Sequence, residues 1–203
     1  MQRRQLLATG LFVLTGCLDG RLPGNGDGSP SPASPSDGTR VRIVSRADQP
    51  AIPIDYTAEM AAPTATTDHP ARIRIGISNT TESPVAIAEE RPVQFHHVSS
   101  TEETLYLYPA GDGAWSGPVD PGCWRLTEPV AVPEYYGVIT LEGDETIQAE
   151  SYVYGHQQLP EGSCLPDGDH RIRMSGVSGD QESLLEGTDT TDFEWGFTLR
   201  IGD

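Results

Sequence analysis

Cys164, His170 and Met174 put a thiol, an imidazole and a thioether within 11 residues, and that donor set suits a soft transition metal. His69, His96 or His97 could supply a further imidazole. His96 and His97 are consecutive, so on a strand their rings diverge, and both reach one ion only if the strand bulges. The thiol has a rival use, because Cys123 can join it in a disulfide wherever the compartment is oxidising. A disulfide sulfur is not a thiolate ligand, so the bridge and the metal site exclude each other. Two buried free thiols are the remaining arrangement.

Other chemistries find fewer residues. There is no Gly-x-Ser-x-Gly, and the fragments Gly162-Ser-Cys164 and Gly176-Val-Ser-Gly179 lack the spacing of a strained nucleophile elbow. Glu89-Glu90 and Glu102-Glu103 are adjacent carboxylates, but neighbours on a strand point to opposite faces and do not share a proton, so they read as solvated surface. Asp167-Gly-Asp169 sits in a turn, yet Arg171 follows where a calcium loop needs another oxygen donor. Its Asp and Gly serve backbone geometry instead. Tyr106/Tyr108 and Tyr152/Tyr154 each place two rings on one strand face, either to stack on a sugar or to pack across strands. Tyr135, Tyr136, Trp115, Trp124 and Trp195 extend that aromatic set. Asn79-Thr-Thr81 fits the glycosylation sequon in an expected turn. No catalytic residue and no cofactor follow from these patterns.

The spacing Cys164-x5-His170-x3-Met174 is similar to the ligand loop of blue-copper proteins, in which a thiolate, a histidine and a weak axial methionine lie between two strands of a sandwich. The resemblance implies an electron-transfer protein with copper on Cys164, His170, Met174 and one upstream histidine. The chain departs from it in three ways. The loop is longer than the family's spacing, no aromatic-rich strand leads into Cys164, and 29 residues follow Met174 where that fold ends with one strand. Without a metal, Met174 is expected in the core and His170 on the exposed face of a strand.

These residues must be positioned by strands. From about Arg40 the hydrophobic period is two: in Ala71-Arg-Ile-Arg-Ile-Gly-Ile-Ser78, Ile73, Ile75 and Ile77 share one face while Arg72, Arg74 and Ser78 share the other. Further strands are expected at 41–44, 52–56, 104–108, 138–141, 146–154, 170–174 and 193–201. Turn signals separate them, among them Asn79 to Pro84, Ala110 to Gly113, Glu142 to Asp144, Pro166 to Gly168 and Ser178 to Asp180. No stretch of 12 residues carries a helical stripe. The pattern predicts an all-β, antiparallel sandwich or barrel over 40–203. The run from Arg72 through Ser78-Asn-Thr-Thr-Glu-Ser-Pro84 to Ile87, with Leu165-Pro-Asp-Gly-Asp-His-Arg-Ile-Arg-Met174, resembles exported immunoglobulin-like domains. It covers roughly residues 70 to 175 and implies a sandwich without implying an activity. The usual core tryptophan beside an inter-sheet disulfide is only loosely echoed, because Trp124 adjoins Cys123.

The N-terminus carries an address. Arg3-Arg4, an apolar run from Leu6 to Thr15 and Leu14-Thr-Gly-Cys17 make up a secretory signal, too short to span a membrane, over residues 1–17. Its end resembles the lipobox of prokaryotic lipoproteins, which implies lipid attachment at Cys17, and Arg3-Arg4 matches the twin-arginine export type. With Cys17 so used, Cys123 and Cys164 remain as an even pair. Residues 18–39 follow as a linker in which 16 of 22 residues are Gly, Pro, Ser or Asp, too polar to form a core. As a flexible coil it spans roughly 25 Å.

The chain holds 30 Asp and Glu against 13 Arg and no Lys, for a net charge of -17. Such a surface repels nucleic acid phosphates and anionic headgroups, which excludes both as partners at ordinary ionic strength. At molar salt the Debye length falls to about 3 Å and self-repulsion fades. Together with the export signal, that composition resembles exported proteins of salt-loving archaea. The expectation is therefore a non-catalytic module on the extracytoplasmic face of the membrane, anchored by a lipid on Cys17 and serving an envelope protein or glycan. The alternative is the copper protein.

Overall fold

A computed structural model describes residues 38–90, 96–111, 118–131 and 136–202. The expected signal with Arg3, Arg4 and Cys17 lies outside the described residues, as do nearly all of the linker, Trp115 and Tyr135.

Eleven strands form two sheets, and every strand pairing is antiparallel. In chain order they are β1 (Thr39–Arg46), β2 (Ile54–Ala62), β3 (Thr64–Ala65), β4 (Ala71–Asn79), β5 (Val85–Glu90), β6 (Val98–Ser99), β7 (Leu105–Pro109), β8 (Tyr136–Leu141), β9 (Thr146–Gly155), β10 (Gly168–Gly179) and β11 (Thr191–Ile201). One sheet runs β3-β1-β11-β10-β5-β8, the other β2-β4-β9-β7-β6. This is the expected all-β sandwich. The one helix, α1 (Gln181–Glu186), starts where Ser178-Gly-Asp180 was expected to be a turn: the Asp180 carboxylate accepts from the Ser183 amide at 2.8 Å and caps it. Six residues are too few for a helical stripe to register.

Period two fixes the core. Ile73, Ile75 and Ile77 of β4 are fully buried, as are Leu105, Leu107 and Val153 on the neighbouring strands. The other sheet answers with Ile87, Ile172, Phe193, Trp195, Phe197 and Leu199, all buried. Trp195 stacks on Tyr56 of β2 with ring centroids 5.2 Å apart, so the central tryptophan is Trp195 rather than Trp124. Val85-Ala-Ile-Ala88 forms β5, buried and close to continuous in hydrophobicity, because the β8 and β10 neighbours enclose it.

Two expectations about polar residues are corrected here. His170 is buried, not exposed, since period two puts it on the same face as Ile172 and Met174. Glu89 is 3 % exposed and not solvated surface; the Tyr56 hydroxyl hydrogen-bonds its carboxylate, and burial first, then Glu89, raises the Tyr56 phenol far above its ordinary range.

Candidate binding face

Cys123 and Cys164 are joined as a disulfide, with Cα atoms 5.0 Å apart and 41 residues between them in sequence. On the chain-entropy model that closure contributes about 4 kcal/mol. It ties the loop before β10 to residues 118–126, which lie along the outer end of β9. There the Gly155 amide donates to Trp124 O at 2.8 Å and the Leu126 amide donates to Gly155 O at 2.9 Å. Trp124, fixed by its indole N–H on Thr66 O at 2.6 Å, covers Tyr154 edge-on at 6.2 Å. Tyr154 is thereby 1 % exposed although its strand turns it away from the opposite sheet.

The same arrangement disposes of the donor set. Cys164 is spent on Cys123. The His170 Nε2–H donates to Pro166 O at 2.8 Å, and Nδ1 stands 2.7 Å from the Thr104 hydroxyl, so both ring nitrogens are occupied by protein. Met174 is buried opposite Trp195. Of the upstream histidines, His69 Nδ1 contacts Pro70 O at 3.1 Å, and burial first, then His97, lowers His96 to about 4. Among the described residues, no three His, Cys, Asp or Glu side chains are grouped to hold a metal ion. Asp169 forms a bidentate pair with Arg200 at 2.6 and 2.7 Å, and Gly168 adopts φ 121°, so Asp167-Gly-Asp169 serves the turn.

Asn79 is 3 % exposed. Its Nδ2 donates to Ser83 O, Leu141 O and Glu142 O at 2.7, 3.2 and 3.0 Å, while Oδ1 accepts from the Thr81 amide and hydroxyl, each at 2.9 Å. The sequon is thus the polar centre of the β4–β5 turn. Its amide has no free N–H to offer a sugar donor in the folded domain.

What the fold does assemble is a row across the outer face of the five-stranded sheet. Registers pair Arg72 with Tyr152 and Tyr152 with Tyr108, and His97 stands beside Tyr108 because Val98 pairs with Leu107. At about 4.8 Å per strand, Arg72–Tyr152–Tyr108–His97 extends about 15 Å. Beneath it Tyr106 faces Tyr154. Edge-to-face contacts lock the set: Tyr152–Tyr154 and Tyr108–Tyr154 at 6.3 Å, and His97–Tyr108 at 5.3 Å. Each such pair contributes about 0.5–1.5 kcal/mol beyond burial. His97 also hydrogen-bonds the Tyr106 hydroxyl at 3.2 Å, and its backbone holds φ 60°, a costly conformation for a residue with a Cβ. Burial first, then the neighbouring tyrosines, pushes the Tyr154 phenol up to about 12.

Tyr106, Tyr154, Trp124 and His156 are buried, whereas Tyr108, Tyr152 and His97 are half-exposed. The layer therefore has a packed base and an open edge. On its other side, Glu150 receives Arg74 at 2.6 Å on one oxygen and stands 3.0 Å from Arg72 on the other, while Arg74 also reaches Glu59 at 2.8 Å. The guanidinium of Arg74 is held above its ordinary value by hydrogen bonds from Glu150 and Glu59. Rings that stack and charges that hydrogen-bond in fixed positions equip this face to bind. They do not form an acid and base pair around an open point. Two open depressions lie elsewhere, one of about 710 Å³ beside the disulfide and one of about 390 Å³ between Arg40 and Asp167.

Sequence reasoning identified both tyrosine pairs and the outward Arg72 and Arg74, but not their assembly with Glu150 and His97. Cross-strand register joins them, and only the strand order supplies it. No protein-family model, curated protein or solved structure matches this chain.

Proposed function

We propose that the chain is a non-catalytic binding module held on the extracytoplasmic face of the membrane by a lipid on Cys17, with the outer face of its five-stranded sheet turned to an envelope partner. The address rests on Arg3-Arg4 and the lipobox-like Leu14-Thr-Gly-Cys17. The Gly/Pro/Ser linker gives the domain a reach of roughly 25 Å from the bilayer. The observation that carries the binding role is the half-exposed ring row backed by a rigid aromatic layer. Pre-packed rings lose little rotamer freedom on contact, so their stacking is realised as affinity. Nucleic acid is not the partner of a lysine-free chain with a net charge of -17.

Removing the anchor while keeping the face tests this. In the native host at its own salt, the Cys17→Ser protein should stay with the envelope fraction. Adding Tyr108→Ala and Tyr152→Ala should release it to the medium with its circular dichroism unchanged. A Cys17→Ser protein found wholly in the medium, or a triple variant retained like the single one, refutes the reading. Turnover of common ester, peptide or glycoside substrates by the purified chain at high salt would refute its non-catalytic part.

A further inference from the structure

We propose that the row Arg72–Tyr152–Tyr108–His97, with Glu150 and Arg74 beside it, is a binding site for a neutral glycan of the envelope. This rests on the outer sheet face being the binding surface, and it decides between the two kinds of partner left open. The first argument is shape. Tyr152 and Tyr108 are directly paired on adjacent strands, so their rings repeat at about 4.8 Å, the scale of a sugar ring. Extended saccharides present apolar C–H faces at such intervals, and flat rings stack on them.

The second argument is polar geometry. A sugar edge needs donors and acceptors held side by side for vicinal hydroxyls. Glu150 sits between Arg72 and Arg74 at 3.0 and 2.6 Å, which offers carboxylate acceptors and guanidinium donors one residue-pair from the rings. Each group is restrained by the others, so little ordering cost is added on binding.

The third argument separates glycan from protein. Stable protein interfaces centre on a desolvated apolar core from which charged residues are depleted. Among the described residues the exposed large hydrophobics are Val44, Val119, Val138 and Leu185, and none belongs to this row. Charge runs through its middle instead. Because Arg72 and Arg74 are balanced by Glu150 and Glu59 within a chain of net charge -17, an anionic glycan meets repulsion and no local excess of cations. Stacking and hydrogen bonding also persist at molar salt, where ionic attraction is screened within about 3 Å.

The test uses the full chain at native salt and glycans released from the host's own envelope, separated by anion exchange into neutral and acidic pools. Titration calorimetry should show saturable binding of the neutral pool alone. Tyr108→Ala and Tyr152→Ala should each weaken it about tenfold, the change that about 1.4 kcal/mol of lost stacking produces. Tyr152→Phe, which keeps the ring, should bind within about twofold of the native chain. No binding of the neutral pool, equal binding by the alanine variants, or equal binding of the acidic pool would overturn the proposal. If the neutral pool fails while envelope retention still depends on Tyr108 and Tyr152, the occupant is a protein and only the glycan assignment falls. If both fail, the binding face falls with it.

Discussion

Replacing Asn79 with alanine probes the turn on which the sandwich is hung. The side chain donates to three carbonyls and accepts from an amide and a hydroxyl, and the bond to Leu141 O is fully buried. Alanine leaves that carbonyl without its partner, which costs about 1–3 kcal/mol. The partly buried partners regain some water, so each loses nearer 0.5 kcal/mol, and the sum is about 3–4 kcal/mol. For a domain of this size the melting temperature should drop by roughly 10 °C. Asn79→Asp keeps the shape and the acceptor but turns a carboxylate on three carbonyls, and should be at least as damaging. Thr81→Ala destroys the sequon just as completely while removing one hydroxyl, and should cost only about 1 kcal/mol. Urea unfolding followed by circular dichroism at constant molar salt ranks the three. A loss below about 1 kcal/mol for Asn79→Ala, or an intact mass showing sugar on Asn79 in the exported protein, would refute the assignment.

Three further outcomes follow from the same geometry. Cys123→Ser/Cys164→Ser should lower stability by about 4 kcal/mol in urea, and an unchanged midpoint would contradict the role given to loop closure. Because burial lowers His96 to about 4 from 6.5, the folded state prefers the neutral ring; stability should fall as pH drops from about 6.5 toward 4. His96→Phe should flatten that slope between pH 5 and 6.5 in pH-dependent urea titrations, and an unchanged slope would locate the proton uptake elsewhere. At Gly155 a Cβ would meet the Cys164 carbonyl oxygen and the Leu159 side chain, so Gly155→Ala should detach residues 123–126 from β9. The readout is faster hydrogen exchange at the Leu126 amide, and protection equal to the native chain would show that the contact yields freely.

Much of the sandwich was legible because each sheet has one dry face, and a dry face writes period two into its strands. Ala71–Asn79 shows this most plainly. What escaped reading depended on partners distant in sequence. His170 looked like surface because a histidine beside two arginines is usually solvated, yet its strand parity matches Ile172 and its ring is satisfied by Thr104 and Pro166. Glu89 likewise looked like half of a solvated pair until Tyr56 of the other sheet stood over it. The spacing of Cys164, His170 and Met174 imitated a ligand loop, while the disulfide to Cys123 decided the sulfur's use. The binding row was half visible, as two tyrosine pairs, and its other half needed the β4–β9–β7 register to bring Arg72 and Glu150 alongside.

Envelope retention of the Cys17→Ser chain, compared with and without Tyr108→Ala and Tyr152→Ala in the native host, measures the central claim most directly. The account predicts that the single variant remains with the envelope and that the added tyrosine changes release it as a folded protein. Retention indifferent to those two rings, or a single variant already free in the medium, would contradict it.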